Sequence, residues 1–135
     1  MGPEVKLLLD THIWLWCHLE PDRLGKRVRT AINTPGNELW LSPISVWEVL
    51  LLAEKRRVAI DGDPRRWIEA AWSRAPMHEA PLNHEVALRS RAVSVPHQDP
   101  ADRFLAATAQ AFDLTLVTDD RHLLRGKGYR TLANK

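Results

Sequence analysis

Four carboxylates in this chain are placed where they could share one pocket: Asp10, Glu48, Asp102 and Asp120. Asp10 and Asp120 each follow a short apolar run, whereas Glu48 and Asp102 fall within segments of helical character. Carboxylates crowded into one pocket repel one another, which is costly unless a cation neutralises them. Oxygen ligands of this kind select Mg²⁺ or Mn²⁺ rather than zinc or copper. The four residues therefore predict a metal-dependent enzyme, and phosphodiester hydrolysis is a reaction that such sites commonly perform.

Asp10 and Glu48 each have a simpler structural explanation that has to be weighed. An aspartate after a strand is often the N-cap of a helix, although Thr11 could cap equally well and leave Asp10 for a ligand. Glu48 is harder to explain as structural, because Ser45 is the one small polar neighbour on its helix face and no basic residue lies within one turn. A metal ion, or a water held by one, would compensate the Glu48 charge.

Asp99 and Asp102 have to be distinguished, since both lie near the start of one predicted helix. The pattern Asp-Pro-x-Asp fits an N-cap at Asp99 with Pro100 at the first helical position. Capping explains Asp99 well and explains Asp102 less completely. We expect Asp102 at the floor of the pocket, with Asp99 supporting it.

Asp119 and Asp120 are adjacent and are expected to point in different directions. One of them would cap a short helix while the other faces the pocket. Thr118, which ends the preceding apolar run, could bond to an acidic ligand or to a phosphate oxygen.

The elements that must position these residues alternate between strand and helix. Strands are predicted at 5–9, 38–41 and 114–118, with weaker signals at 77–82 and, as an edge strand, at 129–132. Helices are predicted after Asp10 to Leu19, at 23–32, from Pro43 to about Arg57, from Pro64, after Asn83, from Asp99 to near Phe112 and at 120–124. This alternation predicts an α/β fold with a mostly parallel sheet and helices on both faces. Such sheets place their chemistry beyond the carboxyl ends of the strands, where Asp10 and Asp120 lie.

Length and composition are those of one ordinary domain, which we expect to span 1–135. The lone Cys17 has no partner for a disulfide within the chain, which favours the cytoplasm. No apolar run of about 20 residues predicts a membrane span, and Asp10 comes too early for a signal-peptide core. Without Asp99 and the four carboxylates, 12 acids face 19 Lys and Arg residues. A basic surface around an acidic pocket suits a polyanion, although such charges are as often only a solvated surface.

Other catalytic arrangements fit the sequence poorly. The six histidines show no two-histidine zinc spacing, and there is neither a glycine-rich phosphate loop nor a Gly-x-Ser-x-Gly elbow. His12, His97 and His122 lie next to the presumed site, where contact with phosphate competes with a surface or structural role. Trp40, Trp47, Trp67 and Trp72 have the spacing of core residues, whereas Trp14 and Trp16 are expected to include an exposed ring that faces a partner.

Four segments follow one another in a recognisable order: Leu7-Leu8-Leu9-Asp10-Thr11-His12, Ser42-Pro43-Ile44-Ser45-Val46-Trp47-Glu48, His97-Gln98-Asp99-Pro100-Ala101-Asp102-Arg103-Phe104-Leu105-Ala106-Ala107 and Leu116-Val117-Thr118-Asp119-Asp120. Together they resemble the motifs of the PIN-domain ribonucleases, in particular the VapC-type toxins of bacterial and archaeal toxin–antitoxin pairs. Each motif is modest alone, but their order along almost the whole chain is specific.

The resemblance implies a PIN-like domain that acts as an endoribonuclease dependent on one or two Mg²⁺ or Mn²⁺ ions. Its acids would be Asp10, Glu48, Asp102 and Asp120, with Asp119 as the alternative fourth acid. It also implies a homodimer inhibited by a small antitoxin that buries part of itself at the active site. We expect Arg103 to steer the RNA backbone and a further set of residues to support the acids: Thr11, Ser45, Asp99, Thr118 and Asp119.

Two other classes of protein compete with this interpretation. A non-catalytic module that binds RNA or a partner could keep the same fold, although the complete set of acids argues against it. A different α/β phosphoryl-transfer enzyme could use Asp10 as its nucleophile. A phosphatase of that kind would usually have a second aspartate two residues later, where this chain has His12.

Overall fold

The computed structural model describes residues 4–96 and 98–135, so that the expectation for His97 lies outside the described residues. Within them, five strands form one sheet: β1 (Lys6–Leu9), β2 (Glu38–Leu41), β3 (His78–Glu79), β4 (Thr115–Thr118) and β5 (Arg130–Ala133). Their order is β3-β2-β1-β4-β5, and each described pairing is parallel. The predicted α/β fold with a mostly parallel sheet is therefore confirmed, and β1 is its central strand.

Helices follow the strands as the sequence predicts. They are α1 (Thr11–Leu19), α2 (Lys26–Asn33), α3 (Pro43–Glu54), α4 (Pro64–Arg74), α5 (His84–Ala92), α6 (Pro100–Phe112) and α7 (Arg121–Arg125). Side-chain caps start six of them, and at α3, α4 and α5 oxygens of Ser42, Asp63 and Asn83 accept backbone N–H bonds at 3.1, 3.2 and 3.0 Å. These caps confirm the predicted starts of α3, α4 and α5.

Three predicted boundaries are wrong by about three residues, each for a local reason, whereas the others agree to within about one residue. The second helix begins at Lys26 rather than Arg23, because a 3₁₀ turn over Pro21–Arg23 precedes it. Helix α3 ends at Glu54 rather than near Arg57, because Arg56 has a left-handed φ of 55° and the next N–H bonds to Leu52 O at 2.9 Å. The strand predicted over 77–82 is only two residues long, because Pro81 has no N–H with which to extend the ladder.

The sheet separates two apolar clusters, which is why helices cover both of its faces. Leu7 and Leu9 of β1 enter the cluster that contains Trp14 of α1, whereas Leu8 enters the cluster that contains Leu105 of α6. Alternate side chains of a strand point to opposite faces, so β1 is buried on both sides. The central strand is thereby fixed in register, and Asp10 follows directly at its carboxyl end.

The tryptophan expectations need correction. Trp14 and Trp16 are buried, at 1% and 7% exposure, and neither is a partner-facing ring. Trp47 is 53% exposed instead, because it lies two residues before the buried Val49 and so on the opposite side of α3. Trp67 packs against the core as predicted, with its ring centroid 5.8 Å from that of Trp14.

Candidate active site

Asp10 lies at the carboxyl end of β1 and is the N-cap of α1. Its Oδ1 accepts the Thr11 N–H at 2.7 Å, and its Oδ2 accepts the Thr118 hydroxyl at 2.6 Å. Asp10 itself, and not Thr11, is therefore the cap. The carboxylate is only 8% exposed. Burial raises its pKa despite both hydrogen bonds, which favour the charged form.

Glu48 is tied to the start of α1 through the Thr11 hydroxyl. Thr11 Oγ1 lies 2.6 Å from Glu48 Oε1 and 2.9 Å from Ser45 Oγ. Burial raises the pKa of Glu48, and the charges of Asp10 and Asp99 raise it further. Thr11 and Ser45 thus join α1 to α3 beside the half-buried acid, in the positions expected of supporting residues.

Asp102 lies in the first turn of α6 and is 8% exposed. Asp99 is the N-cap of that helix, and its Oδ1 accepts the Ala101 N–H at 2.9 Å, as predicted. Burial, followed by the charges of Asp120, Asp10, Asp99 and Glu48, raises the pKa of Asp102 to about 8. The pKa of Asp102 is therefore raised by the charges of four other acids of the site.

Asp120 follows β4 and is the N-cap of α7. Its Oδ1 accepts the N–H groups of His122 and Leu123 at 2.7 and 3.3 Å, and its own N–H donates to Thr118 Oγ1 at 3.0 Å. The expectation that one aspartate caps while the other faces the pocket is only half right. Asp120 caps α7, yet both Asp119 and Asp120 line the same cavity.

The structure brings the predicted acids together in one cavity of about 390 Å³. Its lining residues are Asp10, His12, Trp16, Arg23, Glu48, Asp99, Asp102, Asp119 and Asp120. Strand ends and helix starts supply all six carboxylates except Glu48, which comes from the second turn of α3. Thr118 bonds to Asp10 and Thr11 bonds to Glu48, whereas Ser45 bonds to the Thr11 hydroxyl.

The acids receive little compensation from the described part of the chain. Of the charged groups that shift the pKa values of Asp10, Glu48 and Asp102, only His12 lowers one, that of Asp10. An all-carboxylate donor set at this density suits a hard divalent cation. Within residues 4–96 and 98–135, however, no three acidic, histidine or cysteine groups are already arranged around one metal position. The residues fit the ion in their chemistry, and side-chain rotation would have to complete the ligand set.

Arg103 does not have the position expected of an RNA-steering residue. It is 7% exposed, and its guanidinium donates to backbone carbonyls of Ser90 at 2.8 Å, Val93 at 2.9 Å, Arg91 at 3.3 Å and Val95 at 3.4 Å. These carbonyls belong to the end of α5 and the segment after it. The expectation was wrong because Arg103 lies on the buried face of α6, where it holds α5 in place.

Arg23 and Trp16 are cavity residues that sequence reasoning did not select. Arg23 reaches the acidic cavity from the 3₁₀ turn after α1, and its Cζ lies 4.3 Å from the centroid of the Trp16 ring. In the sequence, Arg23 is one of 19 Lys and Arg residues, and nothing nearby singles it out. The seven-residue separation of Trp16 and Arg23 across Pro21 gives no periodic signal that would join them.

The fold and the cavity define a class: an α/β domain with a carboxylate-lined site at the carboxyl edge of a parallel sheet. The PIN domain family model matches residues 7–128. Ribonuclease VapC22 of Mycobacterium tuberculosis is 32% identical over 120 residues, covering 87% of this chain and 88% of that protein. The chain belongs to the PIN-domain family.

Solved structures agree in fold. VapBC2 from Rickettsia felis, bound to a DNA fragment from its promoter, matches with a TM-score of 0.71 and 14% identity, covering 96% of this chain and 98% of that chain. DNA-bound VapBC from Salmonella typhimurium matches with a TM-score of 0.67 and 22% identity, with the same coverage of 96% and 98%. At these identities the likeness establishes the architecture. No described helix is long and apolar enough to span a membrane.

Proposed function

We propose that this protein is a metal-dependent endoribonuclease toxin of the VapC type, which a cognate antitoxin neutralises. The observation that carries the proposal is the gathering of Asp10, Glu48, Asp102 and Asp120 in one cavity with raised pKa values for the first three. The relationship to a protein named as a ribonuclease, over most of both chains, gives the substrate class.

Asp10 and Asp102 are the proposed direct ligands of Mg²⁺ or Mn²⁺, as one or two ions. Glu48 and Asp120 complete the set or orient the attacking water, and Asp119 is the alternative to Asp120. When bound, the metal would lower the pKa of a water molecule and stabilise charge on the phosphate. Thr118 and the Thr11 N–H hold Asp10 in one orientation, while the Thr11 hydroxyl, which also bonds to Ser45, holds Glu48. Asp99 supports Asp102 by starting α6.

The proposed partners are an RNA substrate, a second copy of this chain and an antitoxin. Structural neighbours described as VapBC toxin–antitoxin complexes support the antitoxin, and the resemblance of the motifs supports the homodimer. We further propose one PIN domain over 1–135, because Asn134 at its end bonds to Arg23 and Gly25 near its beginning. The cytoplasm is the proposed compartment, since Cys17 has no disulfide partner within the chain.

The test is cleavage of a mixed RNA substrate by the purified protein with Mn²⁺, with Mg²⁺ and with EDTA. Cleavage that requires the metal, and that Asp10→Asn abolishes while the far-ultraviolet circular dichroism is unchanged, is the expected result. Full activity of Asp10→Asn would overturn the residue assignment. RNA binding without cleavage under any metal condition would instead identify a non-catalytic module.

A further inference from the structure

The acidic cavity is lined in part by one side chain that is always positively charged, that of Arg23. Among the described residues that line it, Arg23 is the one arginine, and no lysine is present. Arg23, His12 and Trp16 also line the neighbouring cavity of about 520 Å³, which runs along α1. Arg23 therefore lies where the two cavities meet.

The Arg23 side chain is held by weak contacts on a firmly placed backbone. Its Cζ lies over the buried Trp16 ring, 4.3 Å from the ring centroid, and its Nη1 lies 3.4 Å from Glu20 Oε2. That ion pair is more than half exposed on both sides, so it contributes little to stability. The Arg23 carbonyl accepts a hydrogen bond from Asn134 Nδ2 at 3.0 Å, and Asn134 Oδ1 accepts the Gly25 N–H at 2.7 Å.

This arrangement suits a phosphate better than a purely structural contact. A guanidinium held over an aromatic ring can still form paired N–H bonds to phosphate oxygens. The position is open, since the Arg23 side chain is 56% exposed. Arg103, the arginine that sequence alone favoured for this role, is occupied by four backbone carbonyls.

We propose that Arg23, positioned by Trp16, binds a backbone phosphate of the RNA at the mouth of the acidic cavity. This inference rests on the proposed ribonuclease function. It gives the acidic site a cation that attracts substrate without neutralising the acids, since Arg23 is not among the groups that shift the pKa values of Asp10, Glu48 or Asp102. Glu20 would be the group that the phosphate displaces.

The experiment compares Arg23→Ala and Arg23→Lys with wild type in steady-state cleavage of a fluorescent RNA with Mn²⁺. The matched control is Arg65→Ala. It also removes an exposed arginine that forms an ion pair with a nearby glutamate, in this case Glu69 on α4. Arg23→Ala is expected to raise KM about tenfold with little change in kcat, as for the loss of one charged hydrogen-bonded contact. Arg23→Lys should recover part of the loss, because it keeps the charge but not the planar group. The salt dependence of log(kcat/KM) should become shallower by about 0.7 in Arg23→Ala, the slope of one single-strand phosphate contact.

The outcomes separate this inference from the proposed function. If wild type and Arg65→Ala cleave RNA and Arg23→Ala matches them in KM and salt slope, the phosphate contact is wrong and the nuclease stands. If wild type fails to cleave under any metal condition, the proposed function falls first. Mn²⁺ should still raise the thermal unfolding midpoint of Arg23→Ala as in wild type. Loss of that metal response would show that Arg23 acts through the acids and would overturn the assignment.

Discussion

The Thr118 hydroxyl lies 2.6 Å from Asp10 Oδ2 and joins the ends of two neighbouring parallel strands. Thr118 ends β4, and Asp10 follows β1. The same hydroxyl oxygen accepts the Asp120 N–H at 3.0 Å, so a single fully buried threonine orients two of the proposed metal ligands. Partners of this kind commonly determine how well a metal ligand set performs.

Thr118→Val should weaken Mn²⁺ binding and RNA cleavage by about 10- to 100-fold, because Asp10 loses the donor that favours its charged form. The variant keeps the shape of the side chain but leaves the Asp120 N–H without its partner, which costs about 1–2 kcal/mol of stability. Thermal unfolding midpoints, measured without Mn²⁺ and across an Mn²⁺ titration, report the loss of stability and the loss of Mn²⁺ affinity. Thr108→Val is the control, since that buried hydroxyl bonds to Phe104 O at 2.7 Å within α6. An equal loss of Mn²⁺ affinity in both variants would contradict the prediction.

Asp102→Asn should stabilise the metal-free protein at alkaline pH. The folded state holds a proton on Asp102 up to about pH 8, whereas an unperturbed aspartate, with a pKa of 3.8, releases it. The folded state thus binds more protons between these values, and the free energy of unfolding falls as the pH rises through this window. In EDTA at pH 8.5, Asp102→Asn should raise the unfolding midpoint by at least about 3 °C, roughly 1 kcal/mol for a chain of this size.

The control for that measurement is Asp61→Asn, which alters an exposed aspartate between α3 and α4. Its midpoint should follow wild type across about pH 5.5–8.5, a range that covers the upper part of this window. A wild-type midpoint that rises with pH in EDTA would show that Asp102 is not held protonated.

Mn²⁺ should stabilise the folded protein, and more strongly at pH 8 than at pH 6. An ion that binds only the native state adds stability in proportion to the logarithm of its concentration over Kd. Because the metal must displace the proton from Asp102, its apparent affinity should fall by up to about tenfold per pH unit below the raised pKa. Differential scanning fluorimetry with millimolar Mn²⁺ measures the shift, and Asp10→Asn should reduce it. No shift at either pH would contradict the metal site.

Arg103→Lys should destabilise the fold rather than alter RNA binding. A lysine ammonium cannot reach four carbonyls spread over residues 90–95, so buried acceptors lose their donors. We expect the free energy of unfolding in urea to fall by about 2–4 kcal/mol. Arg66→Lys on the exposed side of α4 should leave it within about 0.5 kcal/mol. If Arg103→Lys were as stable as wild type but had a raised KM for RNA, the result would instead support the expected role of Arg103 in steering the RNA.

The sequence predicts the acids well because their positions depend on local rules. An aspartate that follows a buried strand, or that precedes a proline at a helix start, is commonly the N-cap of that helix. Asp10 and Asp99 are both N-caps of this kind. The parallel topology then brings such positions to one edge of the sheet. The catalytic and metal-binding roles of these residues stay predictions.

The errors concern residues whose environment is set by distant packing. Arg103 in sequence is a charged neighbour of a proposed ligand, and nothing local reveals that the end of α5 needs its hydrogen bonds. Trp47 and Trp16 both lie in apolar helical runs with similar spacing, so the face that is buried depends on where the sheet lies. Arg23 meets the cavity only because a 3₁₀ turn returns the chain past Trp16.

The strand order also determines when activity can arise during protein synthesis. β1 is made first but lies between β2 and β4, and β4 is completed only at Thr118. A nascent chain that ends before that residue lacks both the partner of Asp10 and the last acids of the cavity. Under the proposed function, a nascent chain would therefore stay inactive until Thr118 and the two aspartates that follow it have been translated and have joined the fold.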